Sequence, residues 1–141
     1  MKIKKKVKRK TLPQAKKQVW DLFSRYIRLR DCLKTTGDVN YGKCITCGRL
    51  CKLTEADAGH FVSRRFNSVL FDERNVHLQC KQCNGFGGQI LEYRRQIIKL
   101  YGEGADIELE DKAQEIKKFT IPELEELALY YKEKLRGMDN A

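Results

Sequence analysis

The sequence lacks any hydrophobic run long enough to cross a membrane, and its first residues lack the apolar segment of a secretory signal. These absences argue against an integral membrane protein and against export into an oxidising compartment. We therefore expect a cytoplasmic protein with no membrane partner and with reduced cysteines; disulfide bonds are the alternative. The chain also lacks an internal repeat, so it is not built as a repeat array.

The chain is long enough for one modest domain with extensions. Its 141 residues are 41% hydrophobic, which suffices for a small core, and a bound metal would add stability. The net charge of +10 is unevenly distributed. Residues 103–141 carry 11 acidic and 6 basic side chains, a net charge of −5, which leaves +15 for residues 1–102. This polarity predicts a polyanionic partner, although charge alone does not separate DNA from RNA or from an anionic membrane surface.

Four of the six cysteines form two C-x-x-C pairs, a spacing that lets one tight turn direct two sulfurs at a single ion. Two such turns complete a four-sulfur shell with no open position, so the pairs predict a structural Zn²⁺ site. The predicted ligands are Cys44, Cys47, Cys80 and Cys83. Cys51 lies close enough to the first pair to be an alternative ligand, whereas an inert thiol is the simpler interpretation of Cys32 and of Cys51.

The N-terminal region is first basic and then periodic. Residues 1–12 are expected to be a flexible arm that orders on phosphates, with a merely solubilising tail as the alternative. Thr11 and Pro13 mark a helix start, and apolar residues then recur at three- and four-residue intervals to about Arg30. The basic residues of the arm are Lys4, Lys5, Lys6, Lys8, Arg9 and Lys10. Bases on the polar face of the helix could follow a sugar-phosphate backbone: Lys16, Lys17, Arg25, Arg28 and Arg30.

Residues 13–102 are predicted to hold this helix and a zinc-bound core. Residues 58–64 alternate weakly, as in a strand, and residues 65–76 are polar and loop-like. The second cysteine pair is expected to begin a helix that is strongly periodic over residues 89–101 and stops at Gly102. A knuckle, a hairpin and a helix that share one zinc ion form the treble-clef arrangement. We therefore predict an α+β fold with a small treble-clef zinc core and flanking α-helices.

Residues 103–141 are predicted to be an acidic helical extension. Residues Thr120 to Glu123 match a capping box with proline in the first turn, and the apolar stripe that follows ends before Gly137. A shorter helix is expected at about residues 110–118. The stripe comprises Leu124, Leu127, Ala128, Tyr131 and Leu135. We expect these helices to be packing elements, with formation of a homodimer through the stripe as the alternative.

Residues suited to phosphodiester hydrolysis lie within the cysteine-bounded region. Such hydrolysis needs a base to deprotonate water and a cation to neutralise the developing negative charge. His60 is the candidate base, because a neutral imidazole is available near pH 7. Asp57 and Asn84 offer the oxygen ligands that Mg²⁺ or Mn²⁺ prefers, and Asn75 could hold the loop and the imidazole by hydrogen bonding. The order His60, Asn75, Asn84 in this setting is more specific than any of the three residues alone.

Several motifs together resemble one known family. They are the first C-x-x-C pair, Asp57-Ala-Gly-His60-Phe, the run FDERNVHLQCKQCN from Phe71 to Asn84, and Glu92-Tyr93-Arg94. With their surroundings, over residues 13–136, they resemble the NinG (Rap) recombination proteins of phage lambda. The resemblance implies a core similar to the HNH, or ββα-metal, endonucleases. It further implies a structure-specific nuclease that cuts branched DNA, such as D-loops and Holliday junctions, in the bacterial host cell.

The resemblance also implies roles for single residues. His60 becomes the general base, Asn75 the middle Asn of the HNH pattern, and Asn84 the residue that the helix contributes at the third position. A single metal ion would then hold the scissile phosphate and the leaving 3′ oxygen, which leaves 5′-phosphate and 3′-hydroxyl ends. The DNA backbone is expected to contact the N-terminal arm together with Arg64, Arg65 and Arg74. Other recombination proteins are further expected partners.

Two departures from the broader HNH pattern affect the metal site. Many HNH enzymes place the metal-binding acid directly before the catalytic His, where this chain has Gly59. In a regular strand Asp57 and His60 point to opposite faces, so we expect the backbone to bend at the glycine. Some HNH enzymes carry another His where this chain has Gly88, so His77 is an alternative residue to complete the catalytic metal site.

Two other functions fit parts of this pattern. A non-catalytic zinc module that binds nucleic acid and recruits recombination proteins explains the charge and the cysteines equally well. It leaves the constellation of His60, Asn75 and Asn84 to coincidence. An HNH-type nuclease directed at ordinary duplex DNA or RNA keeps the chemistry and changes the substrate.

Overall fold

The computed structural model describes residues 9–139, and these combine α-helices with two small antiparallel hairpins. The helices are α1 (Leu12–Thr36), α2 (Asn67–Leu70), α3 (Lys81–Gly85), α4 (Ile90–Tyr101), α5 (Ala105–Ala113) and α6 (Ile121–Asp139), with a 3₁₀ turn at Gly87–Gln89. The strands are β1 (Tyr41–Lys43), β2 (Leu50–Lys52), β3 (Asp57–His60) and β4 (Val76–Gln79). This architecture confirms the predicted α+β fold class. No helix within residues 9–139 is both long and apolar enough to cross a membrane.

Helix α1 begins where the sequence predicted and runs further. The Gln14 N–H donates to Thr11 Oγ1 at 3.3 Å, and the Thr11 N–H donates to the Gln14 side chain at 3.0 Å, which closes a capping box. The helix ends at Gly37, whose φ of 76° suits glycine. It continues past Arg30 because Cys32 still lies on its buried face.

The first hairpin, β1–β2, is the knuckle that carries the first cysteine pair. Tyr41 pairs with Lys52, and Lys43 pairs with Leu50. The loop between the strands turns at Gly48, which has a φ of 74° and donates its N–H to the Cys44 carbonyl at 2.9 Å.

The second hairpin, β3–β4, lies at the centre of the molecule. It pairs in register from Asp57 opposite Gln79 to His60 opposite Val76. The Ile45 N–H donates to the Leu78 carbonyl at 2.9 Å, which fixes the knuckle against β4. Strand β3 covers only the first part of the strand predicted at residues 58–64, and the loop-like residues 65–76 contain the short helix α2.

The helix predicted to run from the second cysteine pair to residue 101 is broken in the structure. Residues Phe86 to Gln89 separate α3 from α4. Gly87 and Gly88 have φ angles of 73° and 76°, and Gln89 follows at 53°, so the chain leaves the right-handed helical region there. The prediction of one continuous helix was wrong because periodicity after residue 89 does not show the direction of the preceding turn.

The C-terminal helices share cores with the central residues. Tyr93 and Ile97 of α4 pack with Leu109 of α5 in one buried cluster. Helix α5 spans Ala105–Ala113, earlier than the 110–118 predicted, and it follows Gly104, whose φ is 90°. The extension predicted for residues 103–141 is therefore packed against the preceding region, which holds the cysteine pairs.

Helix α6 confirms its predicted start and uses its apolar stripe within the chain. The Glu123 N–H donates to Thr120 Oγ1 at 3.3 Å, as the capping box requires. Leu124 and Ala128 pack against Ala15 and Val19 of α1 in one cluster. Because α1 covers this stripe, it is not available for a homodimer, and a homodimer would need another surface.

Candidate functional site

The four predicted zinc ligands lie together. The sulfur atoms of Cys44, Cys47, Cys80 and Cys83 are all within 4.8 Å of one another. Cys47 Sγ and Cys80 Sγ are 3.8 Å apart, which is about the spacing that four sulfurs at ~2.3 Å from one zinc ion adopt. The cluster is therefore compatible with a structural Zn²⁺ ion and leaves no position open for chemistry.

Two of the four sulfurs, those of Cys44 and Cys80, accept hydrogen bonds from neighbouring groups. Cys80 is the N-cap of α3, and the Cys83 N–H donates to its sulfur at 3.4 Å. Burial raises the pKa of the Cys44 thiol, but hydrogen bonds from Thr46 and from nearby backbone N–H groups outweigh it and lower that pKa to about 6. Such hydrogen bonds favour the thiolate, which is the form that binds zinc.

The two remaining cysteines lie outside the cluster. Cys51 packs beside it, and its thiol is directed at the Arg49 carbonyl at 3.4 Å. Cys32 is fully buried in the core. Burial raises the pKa of each thiol to about 11, which favours the neutral thiol over the thiolate at both residues. All six cysteines fall within the described residues, and none forms a disulfide bond.

Beside the zinc cluster, three elements enclose a polar cleft. Helix α1 lines it with Trp20, Ser24 and Arg28, which are spaced four residues apart and so lie on one face of the helix. The hairpin and the following loop contribute Asp57, His60 and Arg64, and α3 contributes Lys81 and Asn84. The structure thus brings three of the predicted site residues, Asp57, His60 and Asn84, to one cleft.

His60 is held in a defined orientation. Its ring stacks on Trp20 with a centroid separation of 5.1 Å, and Nε2 lies 3.1 Å from the Leu70 carbonyl. A carbonyl only accepts, so Nε2 carries the proton and Nδ1 is the basic nitrogen. Among the described residues Nδ1 has no protein partner, and the one buried side-chain polar atom left unsatisfied there is Gln79 Oε1. Nδ1 is therefore reachable by water.

The surroundings of His60 keep it neutral. Burial lowers its pKa from 6.5 to about 4, and the nearby Arg64 lowers it as well, although the hydrogen bond to Leu70 acts in the opposite direction. Arg64 in turn lies over the Trp20 ring, 5.5 Å from its centroid. At pH 7 the imidazole is thus uncharged and its Nδ1 lone pair is available.

Asp57 is bound by two neighbours from α3. Lys81 Nζ lies 2.8 Å from Asp57 Oδ1, and Asn84 Nδ2 donates to Asp57 Oδ2 at 3.1 Å. The Asn84 amide therefore directs its nitrogen at the carboxylate, and its Oδ1 takes no part in this contact. A carboxylate and an amide oxygen suit a hard cation that keeps several waters.

Gly59 has a different role from the one predicted. Strand β3 pairs regularly with β4 through Asp57, Gly59 and His60, so the expected bend is absent. A Cβ at position 59 would lie 2.0 Å from Gln79 Oε1. The fully buried Gln79 donates through Nε2 to the Gly88 carbonyl at 2.8 Å and to Thr46. The glycine is needed because this side chain crosses directly over it.

Asn75 holds a loop and is fully buried. Its Nδ2 donates to the Val62 and Val69 carbonyls at 2.9 and 3.1 Å, and its Oδ1 accepts from the Val62 N–H at 2.8 Å. It therefore fixes the chain that follows β3, as predicted for the loop. The imidazole of His60 is held by Trp20 and Leu70 instead.

His77 does not line the cleft. Tyr93 donates its hydroxyl proton to the Gly59 carbonyl at 2.6 Å, so His77 Nδ1, 3.0 Å away, must donate to the Tyr93 oxygen. His77 Nε2 then accepts from the Tyr101 hydroxyl at 2.7 Å. Both nitrogens are occupied and the side chain is buried, so we remove His77 from the predicted catalytic metal site.

The predicted DNA-binding bases are spread over the surface. Arg64 lines the cleft, Arg65 is exposed beside Phe66, and Arg74 pairs with Glu108 at 2.9 Å. Arg74 is therefore turned toward α5. Arg9 and Lys10 are exposed, and Lys4, Lys5, Lys6 and Lys8 lie outside the described residues.

Several residues of the cleft were not among the predicted site residues, and Trp20 and Lys81 are the two that contact predicted ones. Trp20 lies on the same face of α1 as Ser24 and Arg28, and this four-residue spacing is the signal that could have identified it. Lys81 lies between the two second-pair cysteines and three residues before Asn84, so a helix starting at Cys80 directs both side chains the same way. Arg30, in contrast, was predicted on the basic face and is bound to Asp31 and to backbone carbonyls.

Fold and site together define a small α+β protein with a four-cysteine cluster beside a polar, imidazole-containing cleft. The chain belongs to the NinG family: the family described as Bacteriophage Lambda NinG protein matches it over residues 1–141. Its relatives include Protein ninG of Escherichia phage 933W and of Escherichia phage lambda, each 33% identical over 100 residues. These matches cover 70% of this chain and 49% and 48% of the two relatives.

Protein ninG of Salmonella phage P22 is similar to the same extent, at 33% identity over 97 residues, which is 67% of this chain and 47% of that protein. The chain thus spans about half the length of the curated relatives that it matches. No solved structure matches the chain.

Proposed function

We propose that this protein is a phage-type recombination endonuclease that hydrolyses phosphodiesters in branched DNA, such as D-loops and Holliday junctions. One observation carries the proposal: His60, Asp57 and Asn84 line a single cleft, and His60 presents a neutral nitrogen that water can reach. The resemblance to the HNH pattern in sequence supports it, because two of these residues, His60 and Asn84, stand at the first and third positions of that pattern.

His60 acts as the general base. Leu70 holds the Nε2 proton and Trp20 fixes the ring plane, so the position of Nδ1, the nitrogen that would accept a proton from water, is set before substrate binds. A base held in one tautomer and one orientation is positioned for proton transfer, and general-base catalysis by a positioned side chain typically contributes about 10²- to 10⁴-fold in rate.

Asp57 and Asn84 would hold a Mg²⁺ or Mn²⁺ ion. When bound, such a cation neutralises negative charge on the scissile phosphate and on the leaving 3′ oxygen. In the structure Lys81 neutralises Asp57, so this lysine must release the carboxylate when the cation binds. Arg28 and Arg64 line the same cleft and add positive charge for the DNA backbone.

Cleavage of labelled DNA tests the proposal. Four-way, D-loop, flap, duplex and single-stranded substrates are incubated with Mg²⁺, Mn²⁺ or no divalent cation, and the wild type is compared with His60→Ala. We expect metal-dependent cutting of branched substrates that His60→Ala abolishes while zinc content and DNA binding persist. A Lys118→Ala variant, altered at an exposed residue outside the cleft, is the matched control and should cut normally.

A non-catalytic zinc module that binds nucleic acid and recruits recombination proteins is the second candidate. It is favoured by the fact that Lys81 and Asn84 engage both carboxylate oxygens of Asp57, as in a permanent ion pair. Tight binding of branched DNA without cleavage under any cation would select this function over the nuclease.

A further inference from the structure

The polar cleft continues onto the zinc hairpin, the surface formed by Tyr41, Arg49, Leu50 and Lys52. These side chains line a depression of their own together with one acidic residue, Glu55, and Lys81 also lines it. Lys81 also lines the cleft, so the two concave surfaces meet at this residue. A strand that lies in the cleft can therefore leave it over the zinc hairpin.

On the opposite side the cleft opens toward the N-terminal end of α1. Lys16 and Lys17 line a third depression, which shares Trp20 and Arg64 with the cleft. The cleft is thus the middle of one continuous surface, with basic residues beyond both ends.

The basic residues of the zinc hairpin are available to a partner. Arg49 and Lys52 are exposed, and neither forms a salt bridge with any residue from 9 to 139. Bases on the side of α5 are bound to acidic residues instead: Arg74 to Glu108 and Arg94 to Asp106. Available positive charge next to the cleft favours a polyanion.

The zinc hairpin also presents an aromatic ring among these bases. Tyr41 pairs with Lys52, and Leu50 lies two residues before Lys52, so all three side chains project from the same face. Tyr41 is 39% exposed. An aromatic ring between cations is typical of surfaces that bind backbone phosphates while stacking on an unpaired base.

We infer that the zinc hairpin is a second DNA-contact surface, on which Arg49 and Lys52 bind phosphates of the strand leaving the cleft and Tyr41 stacks on a base exposed at a branch. The inference rests on the proposed function, since it takes the cleft to be the place where DNA is bound. The cysteine cluster fixes the hairpin before DNA arrives, so the surface is presented without an ordering cost.

DNA binding without added divalent cation tests the inference. The double variant Arg49→Ala/Lys52→Ala is compared with Lys118→Ala/Lys132→Ala, which removes the same charge from exposed residues on another part of the surface. Affinity for a labelled four-way junction should fall at least tenfold in the first variant and less than twofold in the second. The slope of log K against log salt should flatten by about 1.8 if two phosphate contacts are lost. Equal affinities and slopes for the two double variants would overturn the inference.

Tyr41→Ala, with the similarly exposed Tyr130→Ala as control, tests the stacking. The preference for the junction over a duplex of the same sequence should fall about fivefold or more in Tyr41→Ala only. A junction made of RNA that competes as well as the DNA junction would contradict the assignment to DNA. Zinc content and thermal unfolding establish that every variant is folded.

The test separates this inference from the proposed function. Because the test measures DNA binding, it can support or contradict the inference even if the protein never cuts DNA. If the wild type cuts branched DNA and the hairpin variants bind it normally, only this inference fails. If the hairpin variants bind weakly and the wild type never cuts, only the nuclease fails.

Discussion

The two sides of the β3–β4 hairpin hold the only two histidines of the chain in opposite ways. His60 faces a cleft, carries its proton on Nε2 and leaves Nδ1 open to water. His77 is buried between Tyr93 and Tyr101, carries its proton on Nδ1 and has both nitrogens occupied. Burial lowers both pKa values to about 4, so charge state does not distinguish them. The accessible nitrogen distinguishes a candidate base from a structural side chain.

The largest effect is expected from loss of the zinc site, because unfolding of the core would disrupt the surroundings of both histidines. Cys47→Ser should prevent stable zinc binding and unfold the core, because metal binding in small zinc domains supplies about 10–16 kcal/mol of folding free energy. Cys51→Ser is the matched control, since its sulfur lies outside the cluster. Zinc content by mass spectrometry and thermal unfolding measure the difference. A Cys47→Ser protein that stays folded at normal zinc content would contradict the four-sulfur site.

A smaller effect is expected at Gly59, between the two histidine environments. Gly59→Ala should destabilise the fold by about 1–3 kcal/mol, because the new methyl group would overlap Gln79. Gly85→Ala is the control, since a Cβ there meets no atom within 4 Å. Urea unfolding of both variants gives the comparison, and equal stabilities would show that Gln79 does not require the glycine.

The smallest expected effect is a pH dependence that both histidines share. Their folded-state pKa values of about 4 lie below the ordinary 6.5, so the unfolded chain binds more protons between these values. Their contribution to stability is therefore complete above pH 6.5 and is lost as the pH falls toward 4. Nitrogen-15 NMR of the imidazoles should show both rings titrating near 4 and in opposite tautomers above pH 6. Titration of either ring near 6.5 would contradict its burial.

Sequence alone predicted those parts of the fold that depend on neighbours along the chain. The C-x-x-C turns, the helix start at Thr11, the capping box at Thr120 and the α+β class all follow from local spacing or turn chemistry. The break between α3 and α4 was missed because three glycines permit several backbone paths, and the buried Gln79 that fixes this one comes from another element. Of the cleft, the motif residues Asp57, His60 and Asn84 were predicted from the sequence. Trp20 was not, because it lies in the cleft only when α1 packs against the hairpin.

His77 was assigned to the metal site because the sequence shows only its local surroundings. Its position in the motif is compatible with a ligand, and nothing local shows that two tyrosines from α4 occupy its nitrogens. The environment of a histidine is a tertiary property, whereas its spacing to a cysteine pair is a local one.

The rate of branched-DNA cleavage, compared between His60→Ala and His77→Gln and normalised to the folded fraction, tests the central claim most directly. We expect His60→Ala to lose about 10²- to 10⁴-fold in rate at nearly unchanged stability. We expect His77→Gln to keep the rate of each folded molecule while its unfolding temperature falls. A His60→Ala protein that cuts at the wild-type rate, or a folded His77→Gln protein that does not cut, would contradict the assignment of the two histidines.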